Sequence, residues 1–263
     1  MIIVRILLLL VCLYVIFVFL LYFFQKNFIY ETDDTEDAHV TLTHPVDSVV
    51  VESNGISLNG WYSEKNPTFK TLLFFHGNSG NLEKRISKLN DLNTLNINYL
   101  IVAYRGFSGN PGSPTEKGLY EDAKSCKEWL NREKRVPDDR IILYGESLGS
   151  AIALELATHY KFAGVILEGP FTSMTELVYH RYPFLPTDLI LTEKFNNKQK
   201  VKLIDCPMLI LHGKNDNTVP VSMGKELLDS TSTSIKKGYI TNDKHSVQID
   251  TNVQHVIKNF LEL

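Results

Sequence analysis

Cysteine is scarce in this chain: there are three in 263 residues, Cys12, Cys126 and Cys206. Only Cys126 and Cys206 lie outside the apolar N-terminal run, far apart and in no metal-ligand spacing, so neither a disulfide framework nor a zinc site is indicated. Positive charge is not in excess either. The 27 Lys and Arg against 30 Asp and Glu give a formal net charge of −3, and no basic stripe stands out in the globular part, which argues against a nucleic-acid partner. No internal repeat is visible. A phosphate-binding fingerprint is missing as well: the glycines of the 104–114 stretch fit neither a Walker A pattern nor a dinucleotide motif. No metal and no cofactor are therefore expected.

What is present divides into two regimes. Ile6 to Phe24 carry no charge, and at about 1.5 Å per residue they reach about 28 Å as a helix, nearly the thickness of a hydrocarbon core. The run ends Tyr22-Phe23-Phe24-Gln25-Lys26 with no small-x-small cleavage site, so an uncleaved signal anchor over residues 1–26 is favoured over a removed signal peptide or a buried core helix. Arg5 and the amino terminus flank one end and Lys26 the other; this slight asymmetry places the N-terminus in the cytoplasm and the globular part on the extracytoplasmic side. Glu31, Asp33, Asp34, Glu36 and Asp37 then read as a solvated tether spanning 27–45. Behind it, residues 46–263 have the composition of one globular domain, the whole chain being 44% apolar and 22% charged.

In that domain, Val46 to Glu52 and Ile56 to Ser63 alternate apolar and polar residues about Asn54-Gly55, as an N-terminal β-hairpin does. Short apolar runs at Thr71–Phe75, Tyr99–Tyr104, Arg140–Tyr144, Ala163–Glu168 and Pro207–His212 read as buried strands, followed by Lys237–Thr241. Helical stretches at Leu82–Leu95, Glu116–Arg132, Leu148–His159 and Ser222–Ser230 alternate with them, predicting a doubly wound, mostly parallel α/β sheet. The regularity breaks between Glu168 and Pro207. About 171–205 is read as a cap insertion, whose apolar residues, among them Phe171, Tyr179, Tyr182, Phe184, Leu189 and Ile190, are candidates to line an acyl pocket.

Chemistry concentrates at Gly145-Glu146-Ser147-Leu148-Gly149, a G-x-S-x-G between a predicted strand and a predicted helix. The turn needs small residues two before and two after the serine, and the helix that follows points its amides at a developing oxyanion. Serine needs a base, and in this setting the partners follow in the order Ser, acid, His. His245 lies in a polar loop after the last predicted strand, whereas His255 falls on the exposed side of a terminal helix; His245 is the candidate base. Asp216, after the run Met208–Leu211, is the candidate acid, with Glu168 as the substitute and Asp205 and Asp243 as weaker choices. Oxyanion donors are expected from the amides of Leu148 and, in His76-Gly77-Asn78-Ser79-Gly80, of Asn78. His76 and His212 read as structural histidines. Arg105 reads as a structural ion pair rather than a substrate contact.

His76-Gly77-Asn78, Tyr104-Arg105-Gly106, Gly145-Glu146-Ser147-Leu148-Gly149 and Gly213-Lys214-Asn215-Asp216-Asn217-Thr218-Val219-Pro220 occur in an order and spacing that resembles the membrane-anchored α/β-hydrolase-domain serine hydrolases with one N-terminal anchor. The resemblance implies the α/β-hydrolase fold, a Ser147, Asp216 and His245 triad, and Asn78 and Leu148 as oxyanion donors. One departure is Asn242-Asp243-Lys244-His245, where relatives tend to carry Gly or Asn-Asp about the histidine. Such relatives include esterases, acyl-protein thioesterases and peptidase-like members, so an acyl ester, thioester or lipidated substrate is expected, with a serine peptidase or a non-catalytic membrane-bound scaffold as alternatives.

Overall fold

The computed structural model describes residues 1–32 and 41–262. Asp33, Asp34, Glu36 and Asp37 of the acidic run lie outside the described residues.

The N-terminal run forms α1 (Ile2–Ile29), long and apolar enough to cross a membrane and exposed along most of its length. It continues three residues beyond Lys26, so the stretch read as a tether begins with a helical turn. The chain then enters the hairpin β1 (Asp47–Ser53) and β2 (Ile56–Ser63), closed by Asn54 and Gly55 at φ 50° and 79°. Positive φ at both central residues matches the right-handed twist of the strands, which is why Asn-Gly occupies this turn.

Next come β3 (Lys70–Phe75), α2 (Ile86–Leu92), β4 (Ile97–Val102), α3 (Glu116–Glu133), β5 (Ile141–Glu146), α4 (Leu148–His159) and β6 (Gly164–Glu168). The predicted helix at Leu82–Leu95 is shorter than expected: Leu82–Arg85 is a 3₁₀ turn and only the following residues are α-helical. The insertion contains no strand among its described residues. It holds three short α-helices, α5 (Met174–Arg181), α6 (Thr187–Ile190) and α7 (Asn197–Lys200), and a 3₁₀ turn (Val201–Leu203), before β7 (Met208–Gly213), α8 (Val221–Ser230), β8 (Lys236–Thr241) and α9 (Thr251–Leu261).

The eight strands form one sheet in the order β1-β2-β4-β3-β5-β6-β7-β8, antiparallel at β1/β2 and β2/β4 and parallel from there on. Strands β4, β5, β6 and β7 are buried almost throughout, as continuous apolar runs in a sheet covered on both faces require. The exposed edge strand β8 begins Lys236-Lys237, charges that discourage edge-to-edge pairing. Because β3 and β5 to β8 run parallel, the segments leaving their carboxyl ends meet on one edge of the sheet. Ser147, Asp216, His245 and Asn78 all lie on those segments.

Candidate active site

Ser147 sits between β5 and α4 at φ 51°, ψ −112°, a left-handed conformation that L-residues adopt only under constraint. Its neighbours explain how the strain is held. A Cβ on Gly145 would lie 2.5 Å from the Gly149 carbonyl oxygen, and one on Gly149 would lie 2.0 Å from the Phe75 oxygen. The first turn of α4 therefore rests directly on the end of β3, and the Ser147 amide donates to the Glu168 carbonyl at 2.8 Å. Gly149→Ala cannot be accommodated without moving backbone, and a loss of at least about 3 kcal/mol, at the upper end of overpacking costs, is expected in a thermal melt of the detergent-solubilised chain.

Asp216 and His245 come from the loops after β7 and β8. These loops are clipped together: the Asn215 side chain donates to the Asn242 carbonyl at 2.7 Å and the Asn215 amide to the Asp243 carbonyl at 3.0 Å. A Cβ on Gly213 would lie 2.0 Å from the Lys244 oxygen, so glycine there lets the histidine loop cross. The His245 ring lies between the other two residues, Nδ1 at 2.7 Å from Asp216 Oδ2 and Nε2 at 2.8 Å from Ser147 Oγ. The Asp216 side chain is fully buried, that of His245 29% exposed. Burial pushes the Asp216 carboxyl up, but hydrogen bonds from His212, His245 and the Val219 amide outweigh it and hold the group well below the usual carboxylate range. His212, read from sequence as structural, is buried, with Nε2 at 3.0 Å from the Val219 carbonyl and 3.3 Å from Asp216 Oδ2. His255 is exposed on α9.

The loop after β3 lies against the serine: a Cβ on Gly77 would be 3.6 Å from Ser147 Cβ. Among the described residues, the amides of Asn78 and Leu148 donate to no protein acceptor. The loop is tied to the end of α1, an arrangement without a sequence signal. Asn78 Nδ2 donates to the Ile29 carbonyl at 3.0 Å, the Glu31 amide to the Asn78 carbonyl at 3.2 Å, and the Gly80 amide to the Glu31 carbonyl at 3.1 Å. His76, below the loop, is buried with its ring against Tyr104, and Nδ1 is 2.8 Å from the Gly77 carbonyl.

Burial, reinforced by the nearby Arg85 guanidinium, lowers the His76 pKa from its ordinary 6.5 to about 3. The neutral ring is thus favoured in the fold, while the unfolded chain takes up a proton as pH drops below about 6.5. His76 therefore costs no stability above that pH and lowers it by up to about 1.4 kcal/mol per unit as pH falls towards the folded value. Urea titrations at pH 7, 6 and 5 should show a shallower acid dependence for His76→Asn than for the unsubstituted chain.

Sequence reasoning missed a buried charge network beneath the serine. Glu168 is fully buried and accepts from Lys88 Nζ at 2.5 and 2.6 Å, from the Tyr144 hydroxyl at 2.5 Å and from the Val247 amide at 2.8 Å. Lys88 Nζ also lies 3.7 Å from Glu146, which Arg85 Nε approaches to 3.2 Å. Burial raises the Glu146 carboxyl, but Lys88 and Arg85 more than offset it, so the group stays ionised. Glu168 is thus engaged elsewhere and is not the partner of His245. Arg105 forms an ion pair with Asp122 at 2.7 Å, the structural role expected of it. Among the described residues, no group of three or more His, Cys, Asp or Glu is arranged to hold a metal ion.

The cap meets its expected role only in part. Phe171, Leu185 and Ile190 are buried, but Tyr182, Phe184 and Leu189 are exposed, and Tyr179, also exposed, borders an open cleft rather than an interior pocket. A cleft of about 580 Å³ on the cap has Glu176, Tyr179, Asp188, Lys194 and Lys198 in its walls and no residue of the Ser147, Asp216, His245 set.

With this geometry in view, known proteins give a consistent placement. An α/β hydrolase from Vibrio vulnificus superposes with a TM-score of 0.74 at 22% identity over 91% of this chain and 92% of its own, and an esterase from Pyrococcus furiosus with 0.72 at 16% over 89% and 97%. At these identities the likeness is one of fold. In sequence, an uncharacterised Mycobacterium tuberculosis protein is 34% identical over 69% of this chain and 66% of its own length, and the lysophosphatidylserine lipase ABHD12 of Xenopus tropicalis is 30% identical over 73% and 55%. The chain thus spans between about half and two thirds of the curated relatives it matches. Residues 113–261, which carry Ser147, Asp216 and His245 and make up more than half of the chain, match the prolyl oligopeptidase family. With its mostly parallel eight-stranded sheet, the chain belongs to that family, within the α/β-hydrolase superfamily.

Proposed function

We propose that the chain is a serine hydrolase that cleaves a carboxylic ester or thioester through an acyl-enzyme on Ser147. The observation that carries this reading is the His245 ring held between Ser147 Oγ and Asp216 Oδ2. His245 takes the hydroxyl proton as Ser147 attacks the acyl carbonyl, and Asp216 stabilises the imidazolium so formed. The amides of Leu148 and Asn78, free of protein acceptors among the described residues, receive the oxyanion. His245 then returns the proton to the leaving group, and water releases the acyl chain by the same route.

Lipidic esters are the favoured substrate class. The relative named a lysophosphatidylserine lipase and the apolar helix α1 both point that way. The family match favours a peptidase as the second reading. The helix anchors the chain in a membrane, and the weak charge asymmetry about it favours an extracytoplasmic hydrolase domain, which added protease should reach in sealed cells.

A fluorophosphonate probe should label the full chain and leave Ser147→Ala unlabelled; equal labelling of the two would remove Ser147 as nucleophile. Initial rates on p-nitrophenyl esters, a palmitoyl thioester, a lysophospholipid and aminoacyl-anilides then separate the substrate classes. Turnover of the anilides alone would favour the peptidase reading.

A further inference from the structure

The exposed apolar residues of the cap lie beside α1, and the contacts between the two fix their depth. Gln25 Nε2 donates to the Ile190 carbonyl at 2.9 Å, Gln25 Oε1 accepts from the Thr192 amide at 2.8 Å, and the Tyr30 hydroxyl donates to Glu193 at 2.6 Å. Much further up the helix, the Tyr14 hydroxyl donates to the Phe184 carbonyl at 2.6 Å. The cap therefore runs alongside α1 rather than sitting at its end. Twelve residues separate Tyr14 from Lys26, about 18 Å of helix, and Tyr14 lies near the middle of the uncharged run from Ile6 to Phe24. If α1 crosses a bilayer, the segment holding Phe184 lies at the level of the acyl chains.

We infer that the cap tip, Tyr182 to Leu189, is inserted in the lipid leaflet on the domain's side of the membrane. Its composition and backbone fit that solvent. Tyr182, Phe184 and Leu189 are 44%, 60% and 83% exposed, in a segment that touches the exposed apolar helix α1 at Tyr14. Backbone polar groups in hydrocarbon must find internal partners. Pro183 and Pro186 have no N–H to satisfy, and five of the remaining amides, those of Tyr182, Leu185, Thr187, Leu189 and Ile190, bond to carbonyls of the same segment or of α5, leaving those of Phe184 and Asp188. The one acid of the tip, Asp188, contributes to the cleft wall with Lys194 and Lys198, and Arg181 reaches back to the Asn217 carbonyl at 3.4 Å. Acyl chains are thus the occupant of this surface, and a lipid substrate would reach the cap without leaving the bilayer.

Spin labels on the full chain in phosphatidylcholine vesicles test this without reference to hydrolysis. Cys12, exposed on α1, is the in-membrane reference, Cys126 and Cys206 being buried. In a Cys12→Ser background, labels are placed at Leu189→Cys and, as the aqueous reference, at Glu133→Cys on the far end of α3. The ratio of collisions with oxygen to collisions with a water-soluble nickel chelate should be several-fold higher at Leu189→Cys than at Glu133→Cys and should approach that at Cys12. A Leu189→Cys label open to nickel while Cys12 stays shielded would overturn the insertion. Shielding from both reagents would place protein, such as a second copy, on the tip and would overturn it too. A nickel-accessible Cys12 would remove the spanning helix on which the inference rests, and none of these results depends on the proposed hydrolase activity.

Discussion

Asp216→Asn is expected to lower kcat on a soluble ester by about 10⁴-fold, in line with the loss that follows when a triad acid becomes an amide. The surroundings of Asp216 dictate the mechanism of the loss. Oδ1 accepts the Thr218 and Val219 amides, both at 2.8 Å, so the oxygen of an asparagine is held there. The NH₂ is then forced into the place of Oδ2, facing His245 Nδ1 and the His212 Nε2 that approaches within 3.3 Å. A donor at that point binds only a deprotonated Nδ1. The ring proton moves to Nε2, which then meets Ser147 Oγ as a donor and has no lone pair to accept the hydroxyl proton. Glu168 offers no rescue, because its oxygens are engaged by Lys88, Tyr144 and Val247. Stability is affected as well. A carboxyl with a lowered folded pKa contributes stability that is present above its ordinary value near 4 and is lost only as pH falls through the folded value, so at neutral pH asparagine forgoes all of it. Stopped-flow or steady-state rates, together with a melt at pH 7, separate the two losses; a kcat within tenfold of the unsubstituted chain would remove Asp216 from the mechanism.

The features legible in the sequence are those with a local pattern. Strand runs such as Ile141–Tyr144 and the Leu148–His159 helix are apolar because both sheet faces are covered, and that covering leaves a period and composition that can be read. Asn54-Gly55 announced its hairpin through backbone chemistry alone. Ser147, Asp216 and His245 could be selected because each follows a strand of one parallel sheet, so chain order implied a shared edge.

Other features depend on contacts with no sequence spacing. Lys88, in a stretch read simply as helix, enters the core because Glu168 meets it from 80 residues away. The Asn78 loop rests on Ile29 through a contact spanning 49 residues. The cap misled for another reason: its aromatics are alike in composition, and only tertiary packing separates Phe171, buried against Phe195, from Phe184, left outside.

Lys88→Met is the second substitution with a large expected effect, this time on stability: about 3–5 kcal/mol, the range for removing one partner of a buried ion pair. Glu168 has no exposed surface, so its carboxylate would be left with only the Tyr144 hydroxyl and Val247 amide, and Glu146 would lose one of its two cations. In a thermal melt this corresponds to a drop of roughly 6–20 °C for a domain of this size. The pair is not thereby a net source of stability, since desolvation offsets much of its attraction. Adding Glu168→Gln to Lys88→Met removes the stranded charge, its amide oxygen able to accept from Val247 and its NH₂ able to donate to the Tyr144 hydroxyl oxygen, and should recover part of the loss. If the double variant melts no higher than Lys88→Met, cavity and packing effects rather than charge explain the cost. The network also bears on the site, because the Glu168 carbonyl holds the Ser147 amide at 2.8 Å and its side chain holds Val247, two residues beyond His245. Glu168 therefore ties the Ser147 turn, through its backbone carbonyl, and the His245 loop, through its carboxylate, to the same strand. Lys88→Met should accordingly lose fluorophosphonate labelling at temperatures below its own melt, whereas the double variant should regain it together with stability.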